Sequence, residues 1–369
     1  MQVPAESSIS IAPSAERLWT ARIVHTALEE GLAKMDMAIA TYGRREPLSL
    51  FCYGEPGTGK TTLAELFIDR YRRAERPRRV LYVLLPCPAS PSTILEELLD
   101  KLGDPFPSRG TVANRMRRCR ALFLRERVRL LILDELGNFI DSESGRILLA
   151  AASWLKTFMM QIAIPVVALG AGETVYRARD GRLYTTNATA VLGCSTQLSG
   201  RFQLRHTLGL FDPPGGHWQF DGGDADSADH YEACTDEFTH LLLKLDDGCL
   251  GLRTSGLAAL DMARRLYYAT DGRMRPLMNL VRVAGSWALE ADGRITRELL
   301  GDSFELVGRT DDTLQAKANP FELPTFTEQD YAEAERNAGE RLERVRVPVA
   351  DRVHRGRARA VSLAPTRGK

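Results

Sequence analysis

The glycine-rich stretch GEPGTGKT, residues 54–61, limits the possible folds of this chain more than any other feature. It satisfies the pattern GxxxxGK[ST] through Gly54, Gly59, Lys60 and Thr61. An apolar run, LSLFCY, precedes it and a segment with helical periodicity follows, which is the strand-to-helix context that the pattern requires. In that context backbone N–H groups surround phosphate oxygens, and the helix N-terminus adds partial positive charge. The stretch predicts an ATP site in a parallel α/β sheet; the alternative is a chance match on a glycine turn.

The residues of this phosphate loop have separate predicted roles. Lys60 would reach the β- and γ-phosphates of ATP, and the hydroxyl of Thr61 would coordinate Mg²⁺. The full set expected to hold ATP is Gly54, Glu55, Pro56, Gly57, Thr58, Gly59, Lys60, Thr61 and Thr62.

A second apolar run ends in two acids. In VRLLILDE, residues 128–135, Asp134 and Glu135 come at the carboxyl end of a predicted buried strand, where ligands bind in open α/β sheets. Asp134 would hold the magnesium ion and Glu135 would polarise the attacking water. This pairing favours hydrolysis of ATP by water over phosphoryl transfer to a small substrate. The alternative is a pair of surface carboxylates that cap the next helix.

Apolar runs alternate with helical patterns in the first part of the chain. RRVLYVLLP (78–86) and IAIPVVALG (162–170) are almost unbroken apolar runs, which is typical of parallel strands covered on both faces. Residues 14–42 have apolar residues at helical intervals and predict one helix before the first strand. From residue 238 to 300 the pattern is wholly helical, which predicts a separate helical part.

Two arginines and a polar residue narrow the class of ATPase. Arg201, in SGRFQL, follows the fourth strand, where oligomeric ATPases place an arginine finger aimed at the neighbour's γ-phosphate. Arg275, in GRMRPL, is at the start of a predicted lid helix. It matches the second-sensor pattern GxxR, whose arginine contacts phosphate from the lid. Thr174, or less favourably Glu173, is the candidate first sensor after the fourth strand. Exposed surface arginines are the alternative for Arg201 and Arg275.

The order of these parts predicts the fold class. It is an α/β AAA+ P-loop parallel sheet covered by helices, followed by a small all-helical lid subdomain. The predicted organisation is an N-terminal helical segment (1–46), an AAA+ α/β nucleotide-binding subdomain (47–211), an acidic insertion loop (212–237), a helical lid (238–307) and a flexible basic C-terminal tail (308–369). The loop carries eight acids and no Lys or Arg, and residues 341–369 carry nine Lys or Arg against two acids.

Composition and the termini set wider limits. The formal net charge is +1, so the overall charge of the chain does not indicate a polyanionic partner. Six cysteines lie far apart without a CxxC pair, which argues against a zinc site or a disulfide framework and favours a reducing cytoplasm. There is no leader-like N-terminus and no apolar run long enough for a membrane span, so we expect a cytoplasmic protein without a membrane partner.

Over residues 47–300 the chain resembles the TniB/TnsC transposition regulators, which are AAA+ ATPases of Tn-type mobile elements. The resemblance is carried by GEPGTGKTTL, VRLLILDELGNF, IAIPVVALGAGE and SGRFQL, by the lid segments, and by ANPFE (318–322). It implies a homo-oligomer, as a ring or a helical filament, that assembles with ATP on double-stranded DNA without sequence specificity. It also implies recruitment of a DDE-type transposase and a TniQ-type adaptor, and disassembly driven by ATP hydrolysis. The chain departs from the usual pattern of this family in two places, the long connection (177–199) and the acidic loop. Both departures affect the partner contacts that the resemblance implies.

DNA contact is predicted from a cluster of arginines. Residues 109–129 hold eight arginines and one acid. An apolar seam of Val112, Met116, Cys119 and Phe123 would leave Arg115, Arg117 and Arg118 outward, as neutralisation of DNA phosphates requires. From the resemblance, Arg109 and Thr111 are the best contact candidates, with Arg115 and Arg118 beside them. The alternative is a solvated arginine face on a helix that covers the sheet; the basic tail is a second candidate for DNA or for a protein partner.

Two other functions are compatible with these residues. One is a signalling or scaffold ATPase whose ATP-gated oligomer recruits effectors and never touches DNA. The other is an AAA+ protein that resembles a helicase loader. Salt-dependent binding to random duplex DNA distinguishes a transposition regulator from the first, and dependence on a helicase distinguishes the second.

Overall fold

The computed structural model describes residues 13–72, 80–87, 89–140, 145–171, 173–177, 183–187, 192, 195–214, 237–307, 319–323 and 326. These residues form two compact units. The core unit comprises the described residues from 26 to 209, and the helical unit comprises residues 13–25 with the described residues from 210 to 326. No helix among the described residues is long and apolar enough to cross a membrane.

A parallel sheet lies at the centre of the core unit. Its strands are β1 (Leu50–Gly54), β2 (Val80–Leu84), β3 (Leu130–Asp134) and β4 (Val166–Ala171), and a later strand, β7 (Leu204–Leu208). The strand order is β2-β3-β4-β1-β7, and each neighbouring pair is parallel. Between β4 and β7 in the chain, β5 (Glu173–Arg177) and β6 (Leu183–Asn187) form a separate antiparallel pair.

Helices cover this sheet because its strands are apolar on both faces. All five residues of β3 are buried, and the side chains of Phe51 and Val166 on neighbouring strands are fully buried. The helices of the core unit are α2 (Thr26–Ala40), α3 (Lys60–Arg72), α4 (Pro91–Lys101), α5 (Val112–Arg125), α6 (Gly145–Ile162) and the single turn α7 (Thr196–Ser199), with a 3₁₀ turn over Leu136–Ile140. The predicted parallel α/β core is therefore confirmed.

The strand order brings two parts of the predicted site to one edge of the sheet. Gly54 ends β1 and pairs with Ala171, while Asp134 ends β3 and pairs with Leu84. Because the strands are parallel, the loops after β1 and β3 both leave the carboxyl edge. From β1 the chain crosses to β2 at the far edge of the sheet, and β7 lies on the other side of β1. Ligands of open α/β sheets bind where successive connections lead to opposite sides of one strand, and here that strand is β1.

The helical unit has its own apolar core. Its helices are α1 (Pro13–Thr20), α8 (Glu237–Lys244), α9 (Leu260–Thr270), α10 (Met274–Glu290) and α11 (Arg297–Val307), with one π turn over Leu245–Cys249. Buried residues from these helices form a single cluster, which includes Leu18, Phe238, Leu266, Val281 and Leu300. A helical part that follows an α/β core is confirmed.

Residues 319–323, within the ANPFE element and its continuation, are packed into the helical unit. Arg265 of α9 is 1% exposed, and its guanidinium donates to the carbonyl oxygens of Pro320 and Leu323. The ring of Phe321 is buried in the apolar cluster of the unit. This short segment is therefore an integral part of the helical unit.

The single helix predicted over residues 14–42 is wrong. Two helices, α1 and α2, occur instead, and residues 21–25 between them are not helical. Ile23 is buried in the cluster of the helical unit, whereas Leu28 is buried in the core unit. Because the apolar residues of the two halves serve different cores, their shared periodicity does not indicate one helix. The two compact units divide after residue 25, and the predicted domain boundaries stay predictions.

Three strands were not predicted. β7 is an edge strand with the sequence LRHTL, and its exposed Arg205 and Thr207 interrupt any apolar run. β5 and β6 occupy part of the long connection before Arg201. Residues 178–182, 188–191, 193 and 194 of that connection, most of the acidic loop 212–237 and nearly all of the tail 308–369 lie outside the described residues.

Candidate functional site

The phosphate loop runs from the end of β1 to the start of α3. Gly54 is tightly enclosed, because a Cβ atom there would lie 2.1 Å from the carbonyl oxygen of Leu208 on β7. Gly59 has a φ of +102°, a conformation that side chains disfavour. Two glycines of the sequence pattern are therefore required by the local geometry as well as by the expected ligand.

Lys60 is the first residue of α3 and is buried. Its Nζ donates to the carbonyl oxygens of Gly54 at 2.9 Å and Glu55 at 2.7 Å. The hydroxyl of Thr58 also donates to the carbonyl of Glu55, at 2.9 Å. These bonds hold a cationic donor against the loop in which phosphates are expected to bind.

Asp134 is the centre of a small hydrogen-bonded group. The residue is 2% exposed. One oxygen, Oδ2, accepts from the hydroxyl of Thr61 at 3.0 Å and from the phenol of Tyr82 at 2.8 Å. The other, Oδ1, accepts from the backbone N–H of Glu135 at 2.8 Å. Burial, reinforced by the negative charge of Asp134, raises the pKa of Tyr82, so the phenol remains a donor at neutral pH.

The residues at this point fit a magnesium ion. Magnesium prefers oxygen ligands, and it is commonly held by one or two side-chain oxygens together with substrate phosphates. Thr61 and Asp134 bring a hydroxyl and a buried carboxylate into direct contact beside the phosphate loop. Bound there with ATP, the ion would neutralise charge on the phosphates.

Glu135 is placed differently from its neighbour. It is exposed, and its φ of 57° is in the left-handed region, which is uncommon for a residue other than glycine. Its carbonyl oxygen accepts from the backbone N–H of Asn138 at 2.9 Å. The Asn138 side chain in turn donates to the carbonyl of Leu85 at 2.8 Å, just after β2. The turn after β3 therefore directs Asp134 inward and leaves Glu135 exposed at the carboxyl edge of the sheet.

Arg201 lies at the other edge of the sheet. It precedes β7 by three residues, and the first residue of β7, Leu204, pairs with Leu50 at the amino end of β1. The guanidinium is 32% exposed and lies 4.0 Å from the carboxylate of Glu46. Together with Lys156 and other residues it borders an open groove of about 460 Å³. Arg201 is thus separated from the phosphate loop of its own chain by the length of β1.

The two sensor candidates lie on different elements. Thr174 is on β5, where its backbone is opposite Thr186 of β6. Arg275 is exposed on the first turn of α10 and belongs to the helical unit. Their roles towards ATP stay predictions.

The structure corrects the predicted orientation of two arginines on α5. Arg115 donates to the carbonyl and hydroxyl oxygens of Ser92 and to the carbonyl of Ser108, and it is only 11% exposed. Arg118 donates to the side chain of Asp104, at 3.3 Å, and to two backbone carbonyls of the loop before α5. Both were predicted to point outward, and that prediction is wrong. The carbonyl groups of a loop beside a helix accept hydrogen bonds from guanidinium groups. A helical wheel considers only positions on the helix, so it does not predict these contacts.

The exposed cations of α5 are different ones. Arg117, predicted outward, is exposed, and so is Arg120; the structure gives neither an ion pair among the described residues. Val112, predicted to be in the apolar seam, is 40% exposed, whereas Leu122 takes a buried position. The seam of α5 is therefore displaced towards its carboxyl end.

The loop before α5 presents an aromatic residue and a cation. The guanidinium of Arg109 lies over the ring of Phe106, 4.6 Å from its centroid, and Phe106 is 51% exposed. Thr111 is exposed and caps α5, since its hydroxyl accepts from the backbone N–H of Asn114 at 3.3 Å. Arg109 and Thr111 are therefore accessible, and their contact with DNA stays a prediction.

The family model described as bacterial TniB protein matches residues 17–208, more than half of the chain. The chain belongs to the TniB family. Membership implies a transposition-associated AAA+ ATPase. The match covers the phosphate loop, the acidic strand and Arg201, and it ends at the last residue of β7. The part of the resemblance expected over the helices after residue 238 lies beyond this match.

Solved structures share the fold of this TniB chain at low identity. The Aeropyrum pernix ORC1 protein in complex with DNA is 15% identical with a TM-score of 0.54, and the match covers 80% of this chain and 69% of that one. Cdc6p from Pyrobaculum aerophilum is 16% identical with a TM-score of 0.54, covering 90% and 84%. The Aeropyrum pernix ORC2 protein, solved in ADPNP–ADP complexes, is 15% identical with a TM-score of 0.48, covering 82% and 74%. The first two show an AAA+ core followed by helices. No curated sequence matches.

A fixed spacing in the sequence predicts the glycines, Lys60, Thr61, Asp134 and Glu135 of this TniB protein, and their roles towards ATP stay predictions. The spacing does not predict Tyr82, whose phenol reaches Asp134 from β2, or Asn138, whose side chain binds the carbonyl of Leu85 from the 3₁₀ turn. No short motif includes either residue. The available signal was the strand alignment: Tyr82 lies two residues before Leu84, the partner of Asp134, and so near the same edge of the sheet.

Proposed function

We propose that this protein is an ATP-dependent regulator of DNA transposition that assembles on double-stranded DNA and hydrolyses ATP to disassemble. The observation that carries the proposal is the contact between Thr61 and Asp134 beside a complete phosphate loop, in a chain of the TniB family. Loop, metal ligands and an exposed acid are the parts that hydrolysis of a nucleoside triphosphate requires.

Each residue of the site has a defined task in this proposal. The loop N–H groups and Lys60 hold the phosphates, and Thr61 and Asp134 hold the magnesium ion. Glu135, exposed at the same strand end, orients the attacking water and accepts its proton. Burial of Asp134 and exposure of Glu135 support this division of labour.

A neighbouring subunit completes the active site. Arg201 lies beyond the amino end of β7, and Gly54 lies at the carboxyl end of the adjacent β1. A strand of this length separates its two ends by about 13 Å, which is further than an arginine side chain extends. This arrangement supports a finger that acts on the next subunit, and head-to-tail contacts of this kind generate rings or helical filaments.

Duplex DNA binds through the exposed face of α5 and the loop before it. Arg117 and Arg120 are three positions apart on one helix face, and Arg109 is on the adjacent loop. Exposed arginines that have no acidic partner in the described part of the chain suit phosphate contacts, which position a protein without reading sequence. The ORC1 structure in complex with DNA is a relative in fold that binds the same kind of partner.

The further partners of the proposal come from family resemblance. A DDE-type transposase and a TniQ-type adaptor would bind the assembled oligomer on DNA, so that ATP turnover limits how long a target stays marked. Mg²⁺ and ATP are the proposed cofactors.

Binding of labelled random duplex DNA to the purified protein tests this function. We expect tight binding with Mg²⁺ and a slowly hydrolysed ATP analogue, weak binding without nucleotide, and a steep loss of affinity with salt. Lys60→Ala should bind DNA weakly both with and without the nucleotide. A wild-type protein that binds nucleotide but never DNA would contradict the proposal and favour the signalling or scaffold ATPase.

A further inference from the structure

Tyr82 contacts the predicted metal site without belonging to any nucleotide-binding motif. Its phenol donates to Oδ2 of Asp134 at 2.8 Å, the same oxygen that accepts from Thr61. The residue is half-buried near the end of β2, and its backbone pairs with Ile132 of β3. The hydroxyl therefore comes to Asp134 from the strand beside it, independently of the phosphate loop.

The hydrogen bonds of Asp134 divide into two kinds. The bonds from Thr61 and from the backbone of Glu135 come from residues that a metal–ATP complex itself would engage or move. The bond from Tyr82 comes from a regular strand within the sheet, and the rigid ladder between β2 and β3 fixes its origin. Tyr82 is thus the donor that can hold the carboxylate orientation constant while the loop exchanges partners.

We propose that Tyr82 is a positioning residue that presets Asp134 for the magnesium ion of the Mg²⁺–ATP complex. This inference rests on the proposed ATPase function and adds a residue to it. Groups that hydrogen-bond a metal ligand orient it and tune its affinity, and their loss typically costs about 10–100-fold in metal affinity. The phenol contributes nothing to nucleotide that binds without metal.

Tyr82→Phe isolates this role, because it removes one hydroxyl and keeps the ring on β2. Tyr71→Phe is the matched control: the phenol of Tyr71 donates to a carboxylate, that of Asp36, at 3.4 Å between α3 and α2. Binding of a fluorescent ATP analogue would be measured against free Mg²⁺ and again in EDTA. Thermal unfolding without nucleotide would be recorded for each variant.

We expect Tyr82→Phe to raise the half-saturating Mg²⁺ concentration by about tenfold, with analogue affinity in EDTA equal to wild type. Tyr71→Phe should match wild type in both measurements. A Tyr82→Phe protein with the wild-type Mg²⁺ requirement, or with equal losses in Mg²⁺ and in EDTA, would overturn this inference alone. A wild-type protein that binds the analogue in neither condition would overturn the proposed function and this inference with it.

Discussion

Two adjacent acids illustrate how far single residues determine chemistry in this protein. Asp134 is buried with three donors around it, so its carboxylate is held in one orientation, as the proposed magnesium ligand requires. Glu135 is exposed, and a positive φ turns it away from the strand. The backbone conformation at one residue thus separates the proposed metal ligand from the acid proposed to orient water.

The first prediction concerns Glu135. Glu135→Gln keeps the size of the side chain and removes the charge that accepts a proton, so ATP should bind with nearly wild-type affinity while hydrolysis falls by about 10²–10⁴-fold. Phosphate release and nucleotide affinity would be measured together. Glu126→Gln, an acid of the same unit that pairs with Arg125 at 3.1 Å, is the control and should hydrolyse normally. A wild-type rate in Glu135→Gln would exclude it as the residue that orients water.

His206 provides a second prediction at this scale. It is buried on β7, where Nε2 bonds the carbonyl of Ala27 at 2.7 Å and Nδ1 bonds the ammonium of Lys34 at 3.2 Å. Burial, together with the charge of Lys34, lowers the pKa of His206, although the bond to Ala27 and the charge of Glu30 oppose this. The folded protein therefore takes up this proton at lower pH than the unfolded chain.

The consequence is a stability that falls with acid. Below about pH 6.5, the ordinary pKa of histidine, the unfolded state binds more protons at this position, so the free energy of unfolding should decrease as pH falls. Above that pH this histidine should contribute no pH dependence. The free energy of unfolding, measured with denaturant at several pH values between 5.5 and 7.5, should change more steeply with pH in wild type than in His206→Gln. Equal slopes, or a wild-type protein stabilised by acid, would refute the assignment.

At the scale of elements, α5 and its preceding loop act as one surface. Arg115 and Arg118 bind the carbonyls of this loop from within, and Arg109, Arg117 and Arg120 remain on the outside. Four of these arginines, at positions 115, 117, 118 and 120, lie within six consecutive residues of the chain. Arginines so close in sequence therefore have opposite tasks, one set structural and the other available to a partner.

This separation can be tested with charge-matched double variants. Replacing Arg117 and Arg120 by Gln should reduce the slope of log K against log salt for duplex DNA by about 1.8, which is two phosphate contacts, and leave thermal stability unchanged. Replacing Arg115 and Arg118 by Gln removes the same charge, but it should lower the thermal midpoint and leave the slope near wild type. Equal reductions of the slope in both variants would show that the assignment of the two sets is wrong.

The elements also show why sequence predicted some features and missed others. The phosphate loop and β3 were predictable because a fixed spacing or an unbroken apolar run specifies each of them. β7 was missed because an edge strand tolerates polar residues such as Arg205 on its open side. The inward orientation of Arg115 was missed because it depends on carbonyl groups of a loop, whose conformation no periodicity records.

At the scale of the whole molecule, the proposed function makes the ATPase site incomplete in one chain. Arg201 lies beyond the amino end of β7, and the phosphate loop leaves the carboxyl end of β1. A site divided in this way links hydrolysis to assembly, because only a subunit with a neighbour would have every group. ATP would then control how long the oligomer remains on DNA.

The most direct test mixes two inactive variants. Arg201→Ala should bind ATP normally and lose about 10³–10⁵-fold in hydrolysis, since that is the usual contribution of an arginine finger. Arg205→Ala, four residues along the chain and exposed on β7, is the control and should retain activity.

Arg201→Ala and Lys60→Ala would then be combined on duplex DNA, with mixed oligomers verified by cross-linking, and phosphate release measured. The account predicts that activity reappears, because a Lys60→Ala subunit keeps a finger that serves the intact phosphate loop of its Arg201→Ala neighbour. Mixed oligomers that form and still release no phosphate would contradict a site shared between subunits.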